Sequence, residues 1–502
     1  MVPLMGNGAA TPADAPRPGP LDLYRALGDA FARVLPRRVW SPVVEVVLIV
    51  AYLALRTGNA PRDVLAGWVA AAAVLALLHP GAGLTVFAVM AVFSEPFVLT
   101  RDLGAKPIVV GALAVGLALR LVRRPRDLPW SLPIALGLAV VAGTLAGVGV
   151  VAARSAEAAT TDALIRWITG PATMGVVLVA AAWTARRGSL RPLVVVTAAG
   201  VVAGVAGLAD FFSAAGIRET ALDWLVRPTR FETRLAGVIP SPNGVAALVI
   251  GPFAICAAAA VLGRTVRLPV RFLAAAGAAI LAVAMYFTYS RAALLGIFVV
   301  GVVVAWRIRR WLGAGLLVAG IVAGALVLPG YLASRAAAVG GGGEVDPNGV
   351  LVASDLLRLR AWTAASAIWA DNPLLGVGFG QYGLHADAYG DAVLNAPHNE
   401  WLRLFAEEGT LVGLIGVFWI GATVLALRRA PGWLGAGALA TALGWGLAAT
   451  FNNPLLFIQV STVAFTIVGT GLTWRPPPAA PAASRLEASA PASPPVEVPA
   501  PG

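Results

Sequence analysis

The chain has 502 residues, 59% of them hydrophobic and 12% charged, with a formal net charge of +12. Soluble globular domains carry about 25% charged residues, so a soluble class is excluded. The apolar runs are solid, as at 70–78 and 297–305, which excludes a transmembrane β-barrel, whose strands alternate over ~10 residues.

Residues 1–20 are rich in Pro, Gly and Ala and are expected to lack structure. Residues 21–35 have helical apolar spacing with charges opposite, the pattern of an amphipathic helix lying on a membrane surface. The first forty residues contain no continuous apolar core, so no secretory signal peptide is expected. About fourteen apolar segments follow, each near the ~20 residues that cross a bilayer. They lie near 42–56, 63–79, 82–99, 105–122, 131–153, 170–185, 190–209, 242–263, 270–288, 291–306, 312–329, 409–427, 433–449 and 455–473. The expected fold is all-α: a polytopic transmembrane helix bundle of about 12–14 spans with a large, partly helical extracytoplasmic (periplasmic) loop. The chain divides into a cytoplasmic tail at 1–40, spans one to eleven at 41–329 with an outer loop at 210–240, the large loop at 330–408, the final spans at 409–474, and a Pro/Ala-rich disordered tail at 475–502.

Arginines test this division. Arg37, Arg38, Arg120, Arg123, Arg124, Arg126, Arg186, Arg187, Arg191, Arg264, Arg267, Arg271, Arg307, Arg309, Arg310, Arg428, Arg429 and Arg475 all flank spans. With fourteen spans they fall on one side, the cytoplasm under the positive-inside rule, as do both termini. The positive charge is therefore read as topogenic rather than as a nucleic-acid surface, and no nucleic-acid partner is expected. The two long polar segments, 210–240 and 330–408, are left outside. A connection as long as the second exceeds the usual 2–8 residues between bundle helices and points to function.

Several residues look chemical. Arg291, in Tyr289-Ser290-Arg291, stands at the outer junction of two apolar runs. A charge beside hydrocarbon costs a few kcal/mol and marks a functional site, against the alternative of an arginine snorkelling to the headgroups. Arg218, Arg227, Arg230, Arg234, Arg335, Arg358 and Arg360 are also outer arginines, a grouping suited to an anionic ligand. His398, one of three histidines, precedes Asn399 and Glu400 at the end of the large loop. It could serve as a general base, with Glu400 or Glu407 orienting it or carrying its proton. The alternative is a histidine at a helix cap beside a structural Asn. His79 lies at a short turn and His385 is an unsupported loop residue.

Metal chemistry is not expected: the histidines form no H-E-x-x-H pattern and no Asp-x-Asp pair is present. The lone Cys256 excludes an intrachain disulfide and a cysteine metal site. Gly376-x-Gly378-x-Gly380 follows no Rossmann strand and reads as a turn packed under the loop.

In combination, these pieces resemble the O-antigen ligase and O-antigen polymerase superfamily of bacterial envelope glycosyltransferases. The resemblance rests on His398-Asn399-Glu400-Trp401-Leu402 with Glu407-Glu408-Gly409, on Arg358-Leu359-Arg360-Ala361-Trp362 with Pro373-Leu374-Leu375-Gly376-Val377-Gly378, on Ser290-Arg291, and on Arg234-Leu235-Ala236-Gly237 with Pro242-Asn243. It covers roughly residues 230–425 and leaves the N-terminal third with its hydropathy alone. It implies a membrane-embedded C-type glycosyltransferase, metal-independent and inverting, without a cofactor. The donor would be a glycan on undecaprenyl pyrophosphate, and the acceptor a hydroxyl of a glycan, lipid or protein. His398, Arg291 and Glu407 would be catalytic, and Arg234, Asn243, Ser290, Arg358, Arg360, Asn399 and Glu400 would bind substrate. The implied location is the bacterial inner membrane with the site on its outer face. Two other readings stay open: a polymerase joining lipid-linked repeat units, and a transporter or flippase for a lipid-linked sugar. A transporter would place its polar groups near the bilayer midplane, often in repeated halves. Here they collect at outer ends, and no repeat is visible.

Overall fold

The computed structural model describes residues 37–55, 61–93, 104–155, 157–212, 235, 238–239, 241–288, 290–340, 347–391 and 395–475, with side chains described except at 37–41, 62 and 327–356. The tails at 1–20 and 476–502, the helix expected at 21–35 and most of the loop at 210–240, Arg234 included, lie outside the described residues. Among the described residues every regular element is helical. An apolar segment in hydrocarbon has no water for its backbone, and a helix satisfies each N–H and C=O within the segment.

The helices are α1 (Arg37–Leu55), α2 (Arg62–Leu78), α3 (Pro80–Val92), α4 (Ala105–Arg123), α5 (Leu132–Arg154), α6 (Glu157–Trp167), α7 (Thr173–Arg186), α8 (Arg191–Phe212), α9 (Pro242–Leu262), α10 (Leu268–Phe287), α11 (Arg291–Ile308), α12 (Arg310–Gly340), α13 (Pro347–Asp371), α14 (Glu400–Arg429), α15 (Gly432–Phe451) and α16 (Ile458–Thr473). Nine helical stretches are long and apolar enough to cross a membrane, and five shorter apolar helices accompany them among the described residues. The chain is a multi-pass membrane protein built as a polytopic helical bundle.

Three elements differ from the hydropathy reading. The span read at 170–185 continues back to Glu157, because a π-helical turn at Ile168–Ala172 carries the backbone past Pro171 without a break. The helix read at 312–329 runs over Arg310–Gly340, and the span read at 409–427 is the second part of a helix that starts at Glu400. The helical part expected of the large loop at 330–408 is met by α13.

α9 and α15 form the centre, with 78% and 72% of their apolar windows buried, whereas α10 buries 22% and turns Leu268, Phe272 and Leu273 outward. Between helices in lipid, close packing of small residues replaces the hydrophobic drive that operates in water. Here Gly437 and Gly444 of α15 receive Ile255 and Ile250 of α9. α16 lies on α7, where the Thr473 hydroxyl donates to the Ala182 carbonyl at 2.8 Å.

Hydrogen bonds between helix ends fix the direction of each helix. Arg307, late in α11, donates to the carbonyls of Ala430 at 2.9 Å and Leu427 at 3.1 Å, so α11 ends where α14 ends and α15 begins. Arg271 donates to Ala260 at 3.0 Å, Arg120 donates to the Leu78 carbonyl, and Arg187 lies 4.3 Å over the Trp183 ring. One end of the bundle is thus rimmed by arginines whose guanidinium groups close the free carbonyls of helix C-termini. The opposite end holds the start of α14, the start of α11 and the end of α15, joined where the Leu455 N–H donates to Glu400 Oε2 at 3.1 Å.

α14 is opened at Gly409, whose φ of 78° and ψ of −178° are not helical. The opening strands the carbonyls of Ala406 and Glu407, which instead accept from the N–H groups of Val377 at 3.0 Å and Gly378 at 2.8 Å, while the Thr410 N–H donates to the Pro373 carbonyl at 2.8 Å. The turn after α13 therefore replaces the missing rungs of the helix, as irregular backbone within a bundle requires. A Cβ on Gly409 would stand 2.2 Å from the Leu374 oxygen. Gly409→Ala is expected to destabilise the protein by about 1–3 kcal/mol from the positive φ alone, with the clash added. A lowered thermal-unfolding midpoint in detergent checks this, and an unchanged midpoint would refute the role given to the turn.

Candidate active site

The site end is organised by the first turns of α14. Asn399 caps the helix: its Oδ1 accepts from the N–H groups of Trp401 and Leu402, both at 3.1 Å. Asn is a favoured N-cap because its short side chain reaches the free donors of the first turn. One turn on, Arg403, 1% exposed, donates to Glu400 Oε1 through Nε at 2.8 Å and again through Nη2, and donates to Glu407 Oε2 through Nη1 at 2.6 Å. Spacings of three and four residues put all three on one helix face.

Glu407 also reaches the glycine turn. Its Oε2 accepts from the Gly380 N–H at 3.0 Å and its Oε1 from the Tyr382 N–H at 3.2 Å. Gly376, Gly378 and Gly380 all have positive φ, and at Gly376 a Cβ would meet the Glu407 carbonyl oxygen at 2.3 Å. The turn expected beneath the loop is thus seated directly on α14. Glu408, 4% exposed, points to α5, where Gly147 leaves room for it, and neither of its carboxylate oxygens has a hydrogen-bond partner.

His398 stands immediately before the cap with φ 50°, the sole described non-glycine residue with positive φ. A strained conformation persists only where its surroundings hold it, here between the buried Pro397 and the capped Asn399. Burial lowers the pKa of its imidazole below the ordinary histidine value, and the Arg358 charge lowers it further, against opposing effects from a side-chain hydrogen bond with Asn452 and from the Asp391 charge. The ring is therefore neutral at neutral pH, the form a general base needs. Its Nδ1 is buried and has no hydrogen-bond partner. Asp391 in turn accepts from the Tyr382 hydroxyl at 2.7 Å, and that hydroxyl lies 3.0 Å from the Ala361 carbonyl of α13. Burial first, and Asp391 second, push the Tyr382 pKa up, so its proton stays on.

Helix direction sets the remaining residues. Ser290 is 2% exposed and stands at the N-cap position of α11, its N–H donating to Thr288 Oγ1 at 3.2 Å, and Arg291 follows it exposed. Asn243 lies in the first turn of α9, after the Ser241 cap that accepts from the Gly244 N–H at 3.3 Å. The Leu235 N–H donates to the Phe287 carbonyl at 2.9 Å, bringing the chain just after Arg234 to the same end. Arg358 is half-buried and acts on His398, while Arg360 is exposed.

Of the residues singled out in the sequence, Arg358 lies close enough to His398 for its charge to act on the ring, and Ser290, Arg291 and Asn243 share their end of the bundle. Glu407, Glu400 and Asn399 have their side-chain oxygens engaged by the protein itself. Four participants escaped the sequence reading: Arg403, Tyr382, Asp391 and Asn452. Arg403 carried a readable signal in its spacing from two glutamates, and Asn452-Asn453 is a polar pair closing an apolar run. Tyr382 and Asp391 carried none. Among the described residues no group of His, Cys, Asp or Glu is arranged to hold a metal ion.

Arg403→Met would leave Glu400 and Glu407 buried without their countercharge, an expected cost of about 3–5 kcal/mol. Thermal unfolding should show a large drop for this variant and a partial recovery when Glu400→Gln and Glu407→Gln are added. An Arg403→Met protein as stable as the native one would remove the network from its structural role.

Residues 276–418 match the model of a family described as O-antigen ligase. No curated protein matches the chain.

Proposed function

We propose that this chain, whose residues 276–418 match the model of a family described as O-antigen ligase, transfers a glycan from undecaprenyl pyrophosphate to an acceptor hydroxyl at the outer face of the bacterial inner membrane. The observation that carries this reading is His398, its Nδ1 buried and without a hydrogen-bond partner, held in a positive-φ conformation just before the Asn399 cap at the bundle end that also holds Ser290-Arg291. That end lies opposite the arginine rim, which the positive-inside rule assigns to the cytoplasm together with both termini.

In the proposed reaction the acceptor oxygen attacks the anomeric carbon as His398 takes its proton. The bond from that carbon to the pyrophosphate oxygen breaks, and its electron pair leaves with the lipid pyrophosphate. A single displacement of this kind inverts the anomeric centre. The leaving group is already activated and needs charge stabilisation above all, which Arg291 and Arg358 supply as fixed cations, with Arg234 from outside the described residues and Arg360 at the margin. Ser290 and Asn243 stand by them as neutral hydrogen-bonding groups, and no metal is assigned to the reaction. Glu407 is assigned to the glycine turn, and no proton is routed through it.

In an assay with a lipid-pyrophosphate-linked glycan and purified acceptor, His398→Ala and Arg291→Ala should each lower transfer by about 100-fold or more at unchanged protein level. Full activity of either variant would sink the assignment. EDTA should leave the native rate unchanged; a loss restored by Mg²⁺ or Mn²⁺ would overturn the metal-free mechanism.

A further inference from the structure

The turn between α4 and α5 stands at the arginine-rimmed end of the bundle and is tied to the end of α7. Arg187 pairs with Asp127 and lies 4.3 Å over the Trp183 ring, and Arg186 donates through Nη1 to the Leu128 carbonyl at 3.0 Å. Backbone bonds hold the turn itself: the Asp127 N–H donates to the Arg124 carbonyl at 2.9 Å, and the Trp130 N–H to the Leu128 carbonyl at 2.8 Å. Its side chains are therefore displayed from a fixed platform.

Two properties meet on this platform. The first is an excess of cations. Residues 120–130 and 183–191 hold seven arginines and one acid, Asp127, which Arg187 engages. Arg120 is turned to the Leu78 carbonyl, whereas Arg124 and Arg126 are exposed on either side of Pro125. The second is an exposed apolar border: Val122 is 74% exposed, Trp130 63% and Leu132 65%. Cations alone would suit any anion. Cations bordered by exposed apolar side chains, on a chain that spans a membrane, suit an anion that carries its own hydrocarbon.

We propose that this platform is a binding site for an acidic phospholipid, with Arg124 and Arg126 on the phosphodiester of its headgroup and Val122, Trp130 and Leu132 along its acyl chains. A guanidinium presents paired N–H donors that match two phosphate oxygens. A tryptophan at headgroup level keeps its indole N–H among polar groups and its ring in hydrocarbon. A zwitterionic phospholipid brings an ammonium group of its own, which the excess of arginines repels. A dissolved phosphate gains from the arginines but not from the apolar border. The site lies at the opposite end of the bundle from His398 and is independent of the proposed reaction.

The test uses the full-length protein in a neutral detergent, given equal amounts of phosphatidylglycerol and phosphatidylcholine with the same acyl chains. Native mass spectrometry counts the lipid retained. An arginine beside an acidic headgroup contributes about a fivefold preference, so two predict a retention ratio of about 25 in the native protein. The ratio should fall to near parity in the Arg124→Gln, Arg126→Gln variant. It should be unchanged in Arg428→Gln, Arg429→Gln, which alters exposed arginines elsewhere on the same rim. Trp130→Ala should lower retention of both lipids by about threefold and keep their ratio. Excess inorganic phosphate should displace neither. Equal retention of the two lipids by the native protein overturns the proposal, as does a native ratio in the Arg124→Gln, Arg126→Gln variant. A ratio lost equally in the Arg428→Gln, Arg429→Gln variant overturns it too, because the charge would then act as a diffuse rim. Displacement by inorganic phosphate, or native retention by Trp130→Ala, overturns the lipid as the ligand.

Discussion

The ion network of Glu400, Arg403 and Glu407 is the constraint on which the site end depends. It joins three pieces of chain that are far apart in sequence: the beginning of α14, the turn at Gly376–Gly380 and the turn after α15. Its worth is geometric. A buried ion pair often contributes no more than apolar residues of the same volume would, but breaking one side of it is expensive. Alternative seatings of the glycine turn or of the Leu455 turn would leave a carboxylate oxygen or an arginine nitrogen unsatisfied. The network therefore selects one arrangement, and the strained His398 is held as a consequence.

The two ends of the bundle use arginine in different ways. At the rim, Arg120, Arg271 and Arg307 donate to backbone carbonyls and so act as C-terminal caps. At the site end, Arg403 is wholly committed to carboxylates, while Arg358 bears on the histidine. Its charge disfavours the imidazolium, and in the proposed chemistry the same charge attracts the pyrophosphate.

Much of this was legible in the sequence because hydrocarbon imposes a simple rule. A long apolar run must be a helix, and almost every span was visible on that ground. The exceptions are physical. The span read at 170–185 left out Glu157 to Trp167, where Glu157, Asp162 and Arg166 interrupt the apolar run, and a π-helical turn at Ile168–Ala172 joins that part to the span. Glu400 to Glu408 looked like loop because its charges are many, and only the folded chain shows that Arg403 is buried between Glu400 and Glu407. His398 and Arg358 were readable from residue type and position. The Tyr382–Asp391 pair and Asn452 were not, since their meeting is decided by how turns dock and not by any local pattern.

The opening at Gly409 has a consequence for synthesis. The carbonyls freed there take their donors from Val377 and Gly378, which precede them in the chain. A nascent polypeptide emerges N-terminus first. The donors are thus already made when the helix that needs them enters the bilayer, and the opened rung can be closed on arrival. Had the turn followed α14 in the chain, the helix would have waited in lipid with bare carbonyls. The order of residues along the chain lets the discontinuous helix assemble without an exposed intermediate.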